Sequence, residues 1–117
     1  MHRPCIAFVA SAFLAALWCG PAHAADTDLA AAGKALVQKY CARCHAVDKN
    51  DTSKLPLAPP FRDFARKWPV ESLEEALAEG IVTGHPDMPV VEFEPDQIAA
   101  IIEHLHEISG NAAKQAR

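Results

Sequence analysis

One pentapeptide constrains this chain more than any other feature: Cys41-Ala42-Arg43-Cys44-His45. Two thiols three positions apart, with an imidazole directly after the second, is the spacing that attaches haem covalently. The cysteines would add across the two vinyl groups of the porphyrin, and the short spacing would swing His45 beneath the iron as an axial ligand. A Cys-x-x-Cys pair also serves as half of a structural zinc site or as a thioredoxin-like redox pair. A redox pair normally follows a strand in a βαβ pattern, and no run here alternates like a strand. A structural zinc site needs four clustered ligands, and the only other cysteines are Cys5 and Cys19. The motif therefore points to one covalently bound haem c, with Cys41 and Cys44 as attachment points and His45 as a metal ligand.

The N-terminus suggests a compartment. His2 and Arg3 form a short positive region, and Ile6 to Trp18 is an almost unbroken apolar run of thirteen residues. That falls short of the ~20 residues of a spanning helix. Ala22-His23-Ala24 then fits the small-x-small cleavage rule of a secretory signal. A lipoprotein route through Cys19 is a poor fit, because the bulky Trp18 precedes it. The expectation is a signal peptide at residues 1–24, removed after Ala24, and a periplasmic mature chain without stable membrane insertion. Residues 25–117 then contain Cys41 and Cys44 as their only thiols. In an oxidising compartment two thiols so close are joined in a disulfide or occupied.

Residues 25–117 are enough for one domain with a modest apolar core. A porphyrin would supplement that core with a large flat apolar surface, so the apoprotein is expected to fold poorly. Charge is unevenly placed. From Ala25 to Trp68 eight Lys/Arg stand against five Asp, whereas from Pro69 to Arg117 two basic residues stand against ten acidic ones. The halves carry +3 and −8. Such asymmetry can orient a protein partner during encounter, and Lys39, Arg43, Lys49 and Lys54, close in sequence to the motif, are the candidate steering cations. Nothing points to nucleic acid, and a monomer is expected.

The remainder reads as helices joined by proline-rich loops, an all-α chain. Asp26, Thr27 and Asp28 offer an N-cap and favourable charge at a helix start. Leu29, Gly33, Leu36, Val37, Tyr40, Cys41 and Cys44 follow on one helical face. Ile98, Ile101, Ile102 and Leu105 stand at i, i+3, i+4 and i+7 after Pro95 and Asp96, predicting a closing amphipathic helix that ends near Ser109-Gly110. Between these, Phe61, Phe64, Ala65 and Trp68 suggest a short helix opened by Pro59-Pro60. Leu73, Leu77 and Ile81 suggest another, with Ser72 and Glu75 at capping-box spacing. Residues 46–60 form the main loop, and 111–117 read as a frayed tail.

With these pieces placed, the chain resembles the class I mono-haem c-type cytochromes from about Ala32 to Ile108. The resemblance rests on Gly33 and Tyr40 before the Cys41–His45 motif, Pro59 or Pro60 after it, and Gly84-His85-Pro86-Asp87-Met88-Pro89 before the closing helix. It implies a small cytochrome c-like fold of three to five helices packed around one haem. The first and last helices would cross at Gly33, where a missing side chain permits close approach, with Tyr40 and Leu105 as apolar contacts. Where the closing helix often carries an aromatic residue, this chain offers His104.

The resemblance also implies Met88 as the second axial ligand. A thioether is soft and neutral, stabilises ferrous iron and raises the potential relative to a second imidazole. Met88 is the only methionine besides Met1. His85, three residues away, is the rival, since imidazole is intrinsically a good iron ligand. His104 and His106 are two apart on a helix and cannot face a common metal; both read as flanking or surface residues. A ligating imidazole donates its other N–H to a carbonyl or carboxylate, and the resemblance assigns that role to the carbonyl of Pro59 or Pro60. Trp68, Arg62 and Arg66 are either donors to the haem propionates or ordinary packed or solvated helix residues. Phe61, Phe64, Leu73, Leu77, Ile81 and Val82 are the candidate apolar walls.

Three functional classes can be weighed. A diffusible electron carrier keeps both axial ligands and cycles between ferric and ferrous iron. A peroxidase, or a gas binder, needs an open or easily displaced coordination position, which Met88 would fill. The reading is therefore an electron carrier with no catalytic residues, serving redox partner proteins. The alternative is the haem c subunit of a periplasmic dehydrogenase or other oxidoreductase complex, whose haem domain would look the same.

Overall fold

A computed structural model of the chain describes residues 22–82 and 87–110. Most of the expected signal segment, His85 and the tail 111–117 lie outside the described residues. The described residues form four α-helices: α1 (Ala22–Tyr40), α2 (Phe64–Lys67), α3 (Glu74–Glu79) and α4 (Pro95–Ile108). Short 3₁₀ turns at Phe61–Asp63 and Val70–Leu73 lead into α2 and α3. There is no strand among the described residues.

The long elements are α1 and α4, and their crossing organises the domain. Alanine-rich sequence, the best helix former, carries α1. It begins at Ala22 rather than at Asp26, because the alanines before Asp26 continue the helix. Its inward stripe is Ala30, Gly33 and Val37, all buried, while the expected Leu29 is 38% exposed. Gly33 lies directly against Ala100 of α4, and Val37, Ile98, Ile101, Ile102 and Leu105 share one buried cluster. Tyr40, also half-exposed, meets Phe93 edge-on at 5.5 Å between ring centres.

The entry to α4 is locked by a capping box. The Gln97 side chain accepts the Glu94 N–H at 3.0 Å, the Glu94 carboxylate accepts the Gln97 N–H, and Pro95 occupies the first helical turn. These bonds satisfy donors that a helix start otherwise leaves orphaned. The exit is at Ser109, followed by Gly110 with a φ of 78°, as the sequence predicts.

The box expected at Ser72 and Glu75 does not form. Pro69 opens a 3₁₀ turn at Val70, which places Ser72 inside the turn. Its hydroxyl donates to the Pro69 carbonyl at 2.6 Å instead. The helix α3 begins at Glu74 without a side-chain cap and stops at Gly80, whose φ is 82°. Ile81 therefore sits beyond α3, half-buried against the core, rather than within it.

Candidate haem site

The Cys41–His45 motif is not part of α1 but the tight turn that terminates it. Cys41 and Ala42 donate to the Val37 carbonyl at 2.8 and 3.0 Å, and His45 donates to the Cys41 carbonyl at 3.0 Å. The turn keeps Cys41, Cys44 and His45 half-buried at the edge of the core. Neither cysteine is in a disulfide. Burial pushes the Cys41 thiol up to about 11, since a thiolate is poorly solvated there.

His45 is oriented from behind. Its Nδ1 lies 2.8 Å from the Pro59 carbonyl oxygen. A carbonyl only accepts, so Nδ1 carries the proton and Nε2 keeps its lone pair for a metal. Of the two candidate prolines, Pro59 supplies the acceptor. The ring is flanked by Phe61, 5.1 Å away between centres, and Phe61 in turn meets Phe64 at the same separation.

The loop that presents Pro59 is internally braced. The Asp51 carboxylate accepts the Val47 and Asp48 N–H groups at 2.8 and 3.0 Å, and the Ser53 hydroxyl accepts that of Ala46 at 3.0 Å. Leu55 donates to the Cys44 carbonyl at 3.1 Å, and Phe61 to the Ala46 carbonyl at 2.9 Å. Arg62 belongs to this loop. Its guanidinium donates to the Asp51 carbonyl at 2.9 Å and pairs with the Asp51 carboxylate at 3.6 Å. Arg66 pairs with Asp63 at 2.8 Å and is largely exposed. Both side chains are thus engaged by the protein. Trp68 is 58% exposed, with the Lys67 ammonium over its ring.

His104 and His106 correct a sequence expectation. Neither is a surface residue: they are 1% and 7% exposed. His104 Nε2 donates to the Val47 carbonyl at 2.8 Å, and His106 Nε2 meets the Glu71 carboxylate at 3.1 Å. Two positions apart, they face opposite sides of α4, and each side is covered by another segment.

Met88 is half-buried in a turn after α3. The segment that carries it is fastened beyond the turn, where Phe93 donates to the Leu77 carbonyl at 3.0 Å. Val90 packs against Gly80 so closely that a Cβ there would lie 2.5 Å from Val90 Cγ1.

The residues present fit a haem. Paired thiols and a pre-oriented imidazole are the donor set that attachment and ligation need. Outside α1, the exposed large apolar residues among those described are Leu55, Leu57, Trp68, Val82 and Val90. They lie on the segments that follow the motif and flank Met88, and a porphyrin would give them apolar surface to cover. Val82, expected as a wall, is 83% exposed, whereas Phe61 and Leu77 are buried and Phe64 and Leu73 partly so. Among the described residues no group of three or more His, Cys, Asp or Glu is arranged to hold a bare metal ion.

A strand-free helical domain whose first helix ends in a Cys-x-x-Cys-His turn defines a c-type cytochrome domain. Residues 28–105, two thirds of the chain, match the family described as cytochrome c oxidase, cbb3-type, subunit III, and the chain belongs to that family. Its domain is a c-type haem-binding one, and covalently bound haem c is the cofactor. Proteins of the cytochrome c class generally carry electrons rather than catalyse reactions of their own. No curated protein and no solved structure matches the chain.

Proposed function

We propose that the chain is a periplasmic electron carrier with a six-coordinate haem c, held by Cys41 and Cys44 and ligated by His45 and Met88. The observation that carries this reading is the His45 Nδ1 to Pro59 carbonyl bond beside two half-buried thiols. It leaves one imidazole lone pair aimed by a fixed ring. When bound, the haem supplies a one-electron ferric–ferrous couple. The protein's task is to hold it with little rearrangement between states. Cys41 and Cys44 would anchor it from the turn, Pro59 would keep the His45 ring from rotating, and the Phe61 and Phe64 rings would exclude water from that side. Met88 would offer a soft neutral sulfur, favouring the ferrous state. Secretion is supported by the apolar run Ile6–Trp18 and the Ala22-His23-Ala24 site. No helix among the described residues is long and apolar enough to cross a membrane.

The test is the visible spectrum of the mature protein from a periplasmic fraction. Low-spin six-coordinate haem with little carbon monoxide binding is expected. A high-spin spectrum with ready carbon monoxide binding would overturn the carrier reading in favour of an open coordination site.

A second reading is favoured by the description of the matched family, which names an oxidase subunit. The same domain would then relay electrons within a complex. Native-size chromatography of the periplasmic and membrane fractions separates the two: a free monomer supports the carrier, and co-elution with an oxidoreductase supports the subunit.

A further inference from the structure

The His104 imidazole is an unusual occupant of its position. At 1% exposure beside Leu105, an apolar side chain would suit the site. The imidazole instead leaves its buried Nδ1 without a hydrogen-bond partner, which opposes folding. The compensating feature is its other nitrogen. Nε2 donates to the Val47 carbonyl across a separation of 57 residues, and because a carbonyl only accepts, the proton sits on Nε2.

What that bond joins explains its value. The peptides just after His45 are saturated with hydrogen bonds. Ala46 N–H goes to Ser53, Ala46 carbonyl to Phe61, and Val47 and Asp48 N–H to Asp51. All of these partners lie within residues 46–61, so they shape the loop, whose other ties to the helix pair are the solvent-exposed side-chain pairs Lys34–Asp48 and Lys49–Glu107. The Val47 carbonyl is different: its donor comes from α4, one turn beyond Ala100, where α4 meets Gly33 of α1. His45 is tethered to α1 by the motif turn and to Pro59 by its ring. The His104 bond closes the frame from the third side.

We infer that His104 is a positioning residue, which fastens the loop following His45 to the closing helix and so sets the orientation of the axial imidazole. This rests on the reading of His45 as the iron ligand.

The experiment compares the holoprotein with His104→Phe and His104→Gln. Phenylalanine retains aromatic volume and donates nothing. The glutamine amide nitrogen can reach the place of Nε2 and donate. In His104→Phe the haem should remain covalently attached, the reduction potential should shift, and amide exchange at Ala46, Val47 and Asp48 should quicken about tenfold, as expected for one lost hydrogen bond. His104→Gln should return both readouts towards the unsubstituted protein. Should His104→Phe not accumulate, His104→Asn, whose amide is too short to reach Val47, replaces it in the comparison. Wild-type potential and exchange in the donor-less variant would overturn the inference, as would a glutamine variant displaced as far as phenylalanine. If instead His45→Ala left the spectrum of the unsubstituted protein unchanged, the ligand assignment would fail. The exchange measurement would still decide whether His104 fastens the loop.

Discussion

Gly33 of α1 and Ala100 of α4 meet backbone to backbone: a Cβ placed on Gly33 would lie 1.8 Å from the Ala100 carbonyl oxygen. No rotation of a flexible side chain can relieve this contact, since the obstructing atom is main chain. The helices α1 and α4 hold the two ends of the fold together, and the segments that carry Cys41, Cys44, His45 and Met88 are strung between them. Gly33→Ala must therefore push the helices apart and loosen Val37 against Ile101 and Leu105. Overfilling a packed core costs ~1–3 kcal/mol, and a backbone obstruction puts this substitution at or above the upper end. Urea denaturation of the holoprotein checks it, with Ala32→Gly, at an exposed neighbour, expected to lose only about 1 kcal/mol of helix propensity.

Attachment is the second expected outcome. With both thioethers formed, haem stays with the polypeptide through denaturation and acid–acetone extraction. Replacing Cys41 and Cys44 together by alanine should release it and leave a poorly folded chain, because the exposed apolar residues Leu55, Leu57 and Val90 would lose the surface that covers them. Extractable haem in the unsubstituted protein contradicts the attachment sites.

The ligand proposed to stand opposite His45 is open to a direct spectroscopic choice. Sulfur ligation gives ferric haem a weak charge-transfer band in the far red, which two imidazoles do not. Met88→Ala should abolish the band, lower the potential and admit external ligands. His85→Ala should leave the band in place. A band surviving in Met88→Ala hands the position to another residue.

Alkaline pH should loosen one link between α1 and the haem loop. Lys34 Nζ lies 2.7 Å from the Asp48 carboxylate, and that hydrogen bond and charge raise the lysine above its ordinary 10.5. A raised base stabilises the fold below its unfolded value and loses that contribution as pH rises through the folded one. The pair is solvent-exposed, so its effect is small and screened by salt. The stability difference between the unsubstituted protein and Lys34→Gln should thus be constant from neutral pH to about pH 10, then vanish above it. A difference that persists unchanged at higher pH would assign it to lost side-chain contacts.

Features set by neighbouring residues were legible from sequence, and features set by tertiary partners were not. The motif, the apolar spacing of Ile98, Ile101, Ile102 and Leu105, and the Gly110 stop are local, and they appear where the pattern predicts. Leu29 misled because Ala30, one position on, fits the close approach of two helices better than a bulkier side chain. The Ser72–Glu75 spacing was a genuine cap signal, yet Pro69 had already begun a tighter turn. Glu94-x-x-Gln97 before an apolar run was the readable box, with glutamate where serine or threonine usually stands. The histidines were the instructive case. Residues two apart on a helix point about 200° away from each other, which excludes a shared metal but says nothing about exposure. Only the loop on one side of α4 and Glu71 on the other make both positions interior. Arg62 likewise gains its role from Asp51, eleven residues earlier in a loop without periodicity.

The final prediction concerns docking, and the structure sharpens it by showing which cations are already neutralised. Lys34 pairs with Asp48, Arg62 with Asp51, Arg66 with Asp63, and Lys49 approaches Glu107 at 4.0 Å. Lys39, Arg43 and Lys54 stand outside these four pairs, and all three are exposed. They border the Cys41–His45 turn: Lys39 lies in the last turn of α1, Arg43 lies between the cysteines, and Lys54 precedes Leu55, which donates to the Cys44 carbonyl. The acidic residues of α3 and the approach to α4 give the opposite charge elsewhere. A molecule so divided should turn its Cys41–His45 side towards a partner with an acidic surface before contact. Lys39→Glu and Lys54→Glu should slow association with the native redox partner far more than Glu79→Lys or Glu92→Lys. Lys49→Glu should fall between, since Glu107 partly cancels its charge. The rate should decline with added salt as the Debye length shortens to ~8 Å near physiological ionic strength. Measured by stopped-flow across an ionic-strength series, equal effects at the basic and acidic positions, or a rate indifferent to salt, would show these charges to be no more than solvated helix faces.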